Sequence, residues 1–160
     1  MTRRARAVVV TVQNAAARAQ VPTSAQVRKW ARTALADDVH GELTVRIVGE
    51  GESADLNSRY RGKKGPTNVL SFRAEPPTAV AAEVEGSLPF GDVVICADVV
   101  EREAREQGKP LAAHWAHMVV HGTLHLQGFD HERARDAAAM EACERALLAK
   151  LGFPDPYTIK

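Results

Sequence analysis

Three regularly spaced histidines are the residues of this chain best suited to chemistry. His121, His125 and His131 stand at relative positions 0, +4 and +10, with Gly128 between the second and the third. Because an α-helix turns once in about 3.6 residues, His121 and His125 should share one face, one turn apart. Gly128 can adopt the left-handed conformation that ends a helix, so the chain can turn back and bring His131 beside them. Three neutral imidazoles suit a tetrahedral zinc ion with one position open to a water molecule.

The run resembles a zinc-protease motif that has lost its base. The metzincin pattern H-E-x-x-H-x-x-G-x-x-H has the same spacing of histidines and glycine, and its Glu is the general base. Here that position is Gly122, which cannot accept a proton. The spacing therefore predicts one zinc ion per chain and argues against peptide hydrolysis. Nickel would also accept three imidazoles, so the choice of zinc is an inference from the ligand type.

Three neighbours of the motif need an interpretation. His117 lies one turn before His121 and is either a fourth ligand or a residue that supports a ligand, of which we favour the second. Asp130 either orients a ligand ring or is an ordinary turn residue, and both interpretations stay open. His114 lies further back and is expected to take no part.

Composition bounds the protein class. The 160 residues are 45% hydrophobic and 26% charged, as in an ordinary globular domain. A net charge of +1 gives no global case for nucleic acid or membrane, so an anionic partner must meet a local patch. Cys96 and Cys143 lie far apart, which favours reduced, buried thiols, although a disulfide stays open. No run approaches the roughly 20 apolar residues of a membrane span, and we expect a cytoplasmic protein.

Hydrophobic periodicity predicts a single α/β domain over residues 1–160, in the order β-α-β-α-β-β-α-α-α. A small four-stranded mixed sheet should pack against about five helices, with the histidine helix at the centre. The predicted strands are 7–12, 43–48, 69–72 and 91–96, with a long loop over 73–89. The predicted helices run from a Thr23 or Ser24 cap to about Leu35, from Ser53 to Gly62, over 98–107, from Pro110 through the histidines, and over 132–151. The inner face of the first helix should carry Val27, Trp30 and Ala34, and that of the last Met140, Cys143, Leu147 and Leu151.

Positive charge is concentrated around the end of the second predicted helix, at Arg59, Arg61, Lys63 and Lys64. Cations at this end of a helix complement its dipole, which is one explanation. The other is phosphate binding, because the planar guanidinium of arginine fits phosphate oxygens.

Taken together, the motifs resemble the bacterial YbeY family of single-strand-specific endoribonucleases. The resemblance rests on the run from His117 to His131, the stretch from Asn57 to Phe72 and the strand from Gly91 to Cys96, in this order. It covers roughly residues 40–152. It implies zinc on His121, His125 and His131 and a functional arginine at Arg61. It also implies cleavage of RNA in late 16S rRNA 3′-end maturation and ribosome quality control, with the small ribosomal subunit and its proteins as partners.

The expected chemistry is metal-assisted phosphodiester hydrolysis, in which zinc lowers the pKa of a bound water and Arg61 stabilises charge on the phosphate. The nucleophile is either that water or the 2′-OH of the RNA. Two other functions stay open: a zinc hydrolase of peptides or small molecules, which Gly122 disfavours, and a non-catalytic zinc-stabilised module that binds rRNA or a ribosomal protein.

Overall fold

A computed structural model of the chain describes residues 8–17, 20–74, 89–129 and 134–158. Four strands and five helices follow one another through these residues in the predicted order. The strands are β1 (Val9–Asn14), β2 (Glu42–Val48), β3 (Val69–Arg73) and β4 (Pro89–Cys96), and the helices are α1 (Ser24–Ala34), α2 (Glu50–Arg61), α3 (Ala97–Gln107), α4 (Leu111–Leu126) and α5 (Ala134–Lys150). Most of the predicted loop over 73–89 lies outside the described residues.

The four strands form one mixed sheet in the order β1-β2-β4-β3, which confirms the predicted α/β class. β1, β2 and β4 are parallel, and β3 pairs antiparallel with β4 at the edge. Both faces of β4 are covered, because Val93 and Ile95 join one hydrophobic cluster while Val94 and Cys96 join the other. This explains why residues 93–96 of β4 form a continuous apolar run, whereas β2 alternates.

Helices cover the sheet on both faces. The larger cluster joins β1, β2 and β4 to apolar residues of α1, α4 and α5. The smaller cluster, on the other face, includes Leu56 of α2 and Val99 of α3. α4 lies at the centre as predicted, with eleven of its sixteen residues buried.

The first two helices test the local sequence signals. Thr23 is the N-cap of α1 and forms a capping box with Gln26, and the predicted inner face is buried. The predicted start of α2 at Ser53 is wrong, because the helix begins at Glu50. The Ser53 hydroxyl is not a cap: it donates to the Thr67 carbonyl and accepts from the Thr67 amide, both at 3.0 Å.

The predicted inner face of α5 is displaced. Among the described side chains of this helix, Met140, Glu144 and Leu148 are the buried ones, spaced four residues apart, with 1%, 0% and 1% exposure. Cys143, Leu147 and Leu151 are only partly buried at the border of the core. The correction matters because it moves a carboxylate, Glu144, into the interior.

Two further expectations concern the thiols and the membrane. Both cysteines are free thiols, Cys96 buried as expected and Cys143 only half-buried. In the part of the chain that the structure describes, no helix has the length and apolar character needed to cross a membrane.

Gly122 allows α4 to lie unusually close to the sheet. A Cβ atom at this position would stand 2.7 Å from Val93 Cγ1 and 3.1 Å from Val69 Cγ2. Both neighbours are β-branched and stiff, so they cannot easily move aside. Residue 122 therefore faces the sheet, and an acidic side chain would not fit at the place where a zinc protease holds its base.

We predict that Gly122→Ala destabilises the fold. Overpacking costs about 1–3 kcal/mol, which exceeds the gain of up to about 1 kcal/mol in helix propensity. Denaturant unfolding followed by circular dichroism measures the difference. Gly51→Ala is the matched control, since a Cβ in that helix has nothing within 4 Å and the variant should be neutral or stabilised. Equal unfolding midpoints for Gly122→Ala and wild type would contradict the prediction.

Candidate metal centre and active-site cleft

Histidines at spacings of four residues form a stripe along α4. The ring centroids of His121 and His125 are 4.7 Å apart, and those of His117 and His121 are 6.0 Å apart. His121 and His125 are therefore neighbours on one face of the helix, as predicted. His131 and Asp130 lie outside the described residues, so their predicted roles stay predictions.

Helix α4 ends just before Gly128, as we predicted from the position of that glycine. The helix ends at Leu126, and Gly128 has a φ of 101°, in the left-handed region that glycine tolerates. The Gln127 side chain ties this turn to the end of α1, because its amide donates to the Ala34 carbonyl at 2.7 Å and accepts from the Ala36 amide at 2.9 Å. The chain thus leaves the histidine helix from an anchored turn.

The buried carboxylate of Glu144, on α5, contacts two histidines of this stripe. Glu144 has no exposed surface, and its Oε2 atom lies 2.6 Å from His121 Nδ1. The Tyr157 hydroxyl donates to its other oxygen, Oε1. His117 Nε2 lies 3.4 Å from Oε2 and 3.3 Å from the Tyr157 hydroxyl. Three donors from α4 and the C-terminal segment therefore surround one carboxylate.

The ionisation of this group follows from its partners. Burial by itself would raise the pKa of Glu144, but the hydrogen bonds from His117, His121 and Tyr157 outweigh it and hold the pKa at about 2. Burial lowers the pKa of His117, against the opposing effect of Glu144, which favours a neutral ring. Burial and the bond to Glu144 both raise the pKa of Tyr157, so its hydroxyl keeps its proton.

The ionised carboxylate selects the tautomer of His121. A carboxylate without a proton can only accept, so the proton of the short contact belongs to His121 Nδ1. A neutral ring then carries its lone pair on Nε2, the atom through which it can bind a metal. Carboxylate–histidine–metal arrangements of this kind orient the ring and raise the basicity of the ligand.

His117, His121 and Glu144 also form a group that could itself hold a metal ion, because their ligand atoms lie within 4.8 Å of one another. The distances test that alternative. Two ligands at 2.0–2.1 Å from a tetrahedral zinc stand about 3.3 Å apart, whereas His121 Nδ1 and Glu144 Oε2 are 2.6 Å apart. As placed, the group is a hydrogen-bond network, and a metal at its centre would have to break it.

A cleft of about 1220 Å³ joins the histidines to the basic stretch. Its walls are the end of α2, the whole of β3 and the end of α4, and its lining includes Arg61, Lys63, Arg73, His121 and His125. No acidic side chain is among the described residues that line it.

Local hydrogen bonds hold the basic wall of the cleft. Gly62 ends α2 in the left-handed conformation, with φ of 65°. The buried Asn57 side chain donates to the Gly65 carbonyl at 2.9 Å and anchors the following turn. Of the predicted basic residues, Arg61 and Lys63 line the cleft, whereas Arg59 forms an ion pair with Asp55 on the helix surface.

Comparison with known proteins identifies the family of a chain that has this histidine stripe and this basic cleft wall. A family model described as Endoribonuclease YbeY matches residues 11–152. The chain belongs to the YbeY family. A relative named Endoribonuclease YbeY from Methylococcus capsulatus is 55% identical over 92% of this chain and 94% of its own length. Another with the same name, from Halorhodospira halophila, is 56% identical over 87% and 90%. A solved protein from Thermotoga maritima has a TM-score of 0.48 at 20% identity, over 92% of this chain and 99% of that one.

Membership of the YbeY family confirms the resemblance read from the motifs and extends it. The match begins at residue 11, within β1, so it includes the N-terminal strand that the motifs left out. No comparison tests the individual site residues, and His121, His125, His131 and Arg61 stay predictions in their assigned roles.

Sequence reasoning missed the residues that support the site. Glu144 had a visible signal, since a glutamate spaced four residues from both Met140 and Leu148 interrupts an apolar stripe. Arg73, whose guanidinium donates to the His125 carbonyl at 3.4 Å, had none. Tyr157 had none either, because its partner Glu144 lies on a different element.

We predict that Glu144→Gln weakens metal binding about 10–100-fold, the usual effect of losing a partner that orients a ligand. The amide keeps the shape but loses the charge that holds the proton on His121 Nδ1. Competition with a chromophoric chelator measures the affinity, and circular dichroism checks the fold. Glu141→Gln on the same helix, where the side chain is 40% exposed, is the control. Unchanged affinity in Glu144→Gln would show that the carboxylate has no such role.

Proposed function

We propose that this chain is a zinc-dependent, single-strand-specific endoribonuclease that acts in late 16S rRNA 3′-end maturation and ribosome quality control. Its partners would be rRNA and the small ribosomal subunit with its proteins, which implies a cytoplasmic location. Family membership supports RNA cleavage, and the name Endoribonuclease YbeY belongs to several relatives at about this length.

One observation carries the proposal for this chain. Arg61, from the end of α2, and the histidines of α4 line the same cleft, although they are far apart in sequence. A phosphodiester lying there would meet a guanidinium on one wall and the metal-binding face on the other. A chain of net charge +1 can bind a polyanion only through a local patch of positive charge. The cations that line this cleft form such a patch.

We assign the metal to His121, His125 and His131, one ion per chain. The chemistry of this set suits zinc, since neutral imidazoles are borderline-soft ligands and three of them leave a position open. The adjacent His121 and His125 rings fit the assignment, as does the lone pair that Glu144 directs to His121 Nε2. When bound, zinc would act as a Lewis acid on a phosphoryl oxygen or lower the pKa of a water molecule.

The protein groups have separate tasks in this mechanism. Arg61 would hold the scissile phosphate and stabilise the negative charge that grows on its oxygens. Glu144 would keep His121 in one tautomer and one orientation. Gly122 cannot take a proton from the attacking group, which is either water or the 2′-OH of the RNA. The products distinguish them, because attack by the 2′-OH leaves a 2′,3′-cyclic phosphate.

Two matched variants test the metal assignment. His117 and His125 each lie four residues from His121, in opposite directions. We expect His125→Ala to lose bound zinc and His117→Ala to retain it at reduced affinity, measured as metal per chain by mass spectrometry. The reverse result would assign the metal to the group of His117, His121 and Glu144.

A second pair of variants tests the phosphate role. We expect Arg61→Ala to lower kcat on single-stranded RNA by about 10²–10³-fold, as loss of one transition-state donor does, with zinc content and fold retained. Arg59→Ala removes the same charge from the same helix outside the cleft lining, so its kcat should stay close to wild type. Full cleavage by Arg61→Ala would reject the assigned role.

The same preparations decide the wider question. Wild type and His125→Ala, purified in parallel to exclude contaminating nuclease, should differ in cleavage of single-stranded RNA. If well-folded, zinc-loaded wild type cuts no RNA but binds it, the chain is a zinc-stabilised binding module instead.

A further inference from the structure

The Tyr60 side chain is unusually exposed for its size. Among large hydrophobic side chains of the described residues, only Tyr60 and Val9 are more than half exposed, at 63% and 58%. Val9 lies on β1, away from the cleft, whereas Tyr60 lies in the last turn of α2 and lines the cleft beside Arg61. An exposed aromatic ring at the wall of a cleft can contact a molecule bound in that cleft, whereas one on an open surface cannot.

The Tyr60 ring is held in a defined position despite its exposure. It contacts Phe72 of β3 edge to face, with centroids 5.2 Å apart and planes at 70°. Phe72 in turn packs against the smaller hydrophobic cluster under the sheet. The Tyr60 ring is therefore supported by Phe72 at the border of the core, while most of the side chain stays exposed at the cleft wall.

The surroundings of the ring suit a nucleotide. Arg61, Lys63 and Arg73 line the same cleft, and the described lining contains no carboxylate. Cations that follow a phosphate backbone, combined with an aromatic ring that receives a base, are the usual means of binding single strands. Tyr60 and Arg61 both line this cleft, so ring and guanidinium can contact the base and phosphate of the same or adjacent nucleotides.

We propose that Tyr60 stacks on one unpaired RNA base beside the phosphate held by Arg61. The proposal rests on the proposed function and deepens it, since it gives a physical reason for single-strand specificity. A base within a duplex already stacks on its neighbours on both sides, and only an unpaired base can offer a face to a protein ring. Tyr60 thus acts as a specificity-determining residue and takes no part in the bond-breaking step.

Fluorescence of 2-aminopurine tests stacking directly. Short single-stranded RNAs, each with 2-aminopurine at one position, are mixed with the full-length, metal-loaded chain in a stopped-flow instrument and read before turnover. Wild type and Tyr60→Phe should quench the probe at one position, because both offer an aromatic ring. Tyr60→Ala should abolish that quenching and weaken RNA binding about 5–150-fold, the range that corresponds to loss of one stacked base.

Two further variants separate stacking from structure. Tyr60→Leu keeps an apolar cover over Phe72 without an aromatic face, and should bind as weakly as Tyr60→Ala. Val9→Ala removes the other exposed apolar side chain and should bind like wild type. Thermal melting of each variant excludes unfolding as the cause.

The outcomes keep the two proposals apart, because cleavage is scored later on the same samples. Quenching by a wild-type protein that never cleaves RNA would reject the nuclease proposal and retain stacking. Equal affinity and quenching in Tyr60→Ala, or recovery of affinity in Tyr60→Leu, would overturn stacking whether or not RNA is cut. A wild type that binds no RNA would overturn both.

Discussion

The hydrogen bonds of the buried Glu144 carboxylate are the interaction on which the arrangement of the histidine helix α4 depends. An ionised group without exposed surface costs several kcal/mol unless it is paired, and here the pairing comes from His117 and His121 of α4 and from Tyr157 near the C-terminus. Satisfying one charge thus fixes three parts of the chain relative to each other. A hydrogen bond to a charged group generally contributes about 1.5–3 kcal/mol, so rotation of the histidine stripe, which would break two such contacts, carries a large penalty.

The position of α4 against the sheet supplies the second constraint. Gly122 brings the helix backbone close to β3 and β4, and the Ser71 hydroxyl donates to the Gly122 carbonyl at 2.9 Å. A side chain at this position would push α4 away from the edge strand that lines the cleft. Glu144 therefore fixes how the helix is turned about its axis, and Gly122 fixes how near it lies to β3. The cleft takes its shape from both.

Local patterns predicted much of the fold, and tertiary contacts explain most of what they missed. The alternation of β2 and the N-cap at Thr23 were both confirmed, because each depends only on residues that are close in sequence. The interrupted apolar stripe of α5 marked Glu144 as unusual, but its partners lie on α4 and in the segment after α5, so no local pattern showed what the carboxylate binds. The predicted buried face of α5 was displaced because Cys143 and Leu147 are apolar, although they lie only at the border of the face that is buried. The start of α2 was missed because Ser53, a good cap by type, uses its hydroxyl to bind Thr67 instead.

Sheet order brings Arg61 and the histidines to the same cleft, and no spacing in the sequence encodes that order. β3 takes the edge position next to β4 and runs antiparallel to it. The end of α2 and the end of α4 line one cleft together with this strand. At physiological ionic strength charges are screened over about 8 Å, so an RNA in the cleft would respond to nearby side chains far more than to the net charge of +1. Cations elsewhere, such as Arg46 and Arg102, are paired with Glu52 and Glu50 and contribute little field at that distance. A nearly neutral chain could therefore hold a polyanion where the fold gathers Arg61, Lys63 and Arg73 along one strand, in a cleft whose described lining carries no carboxylate.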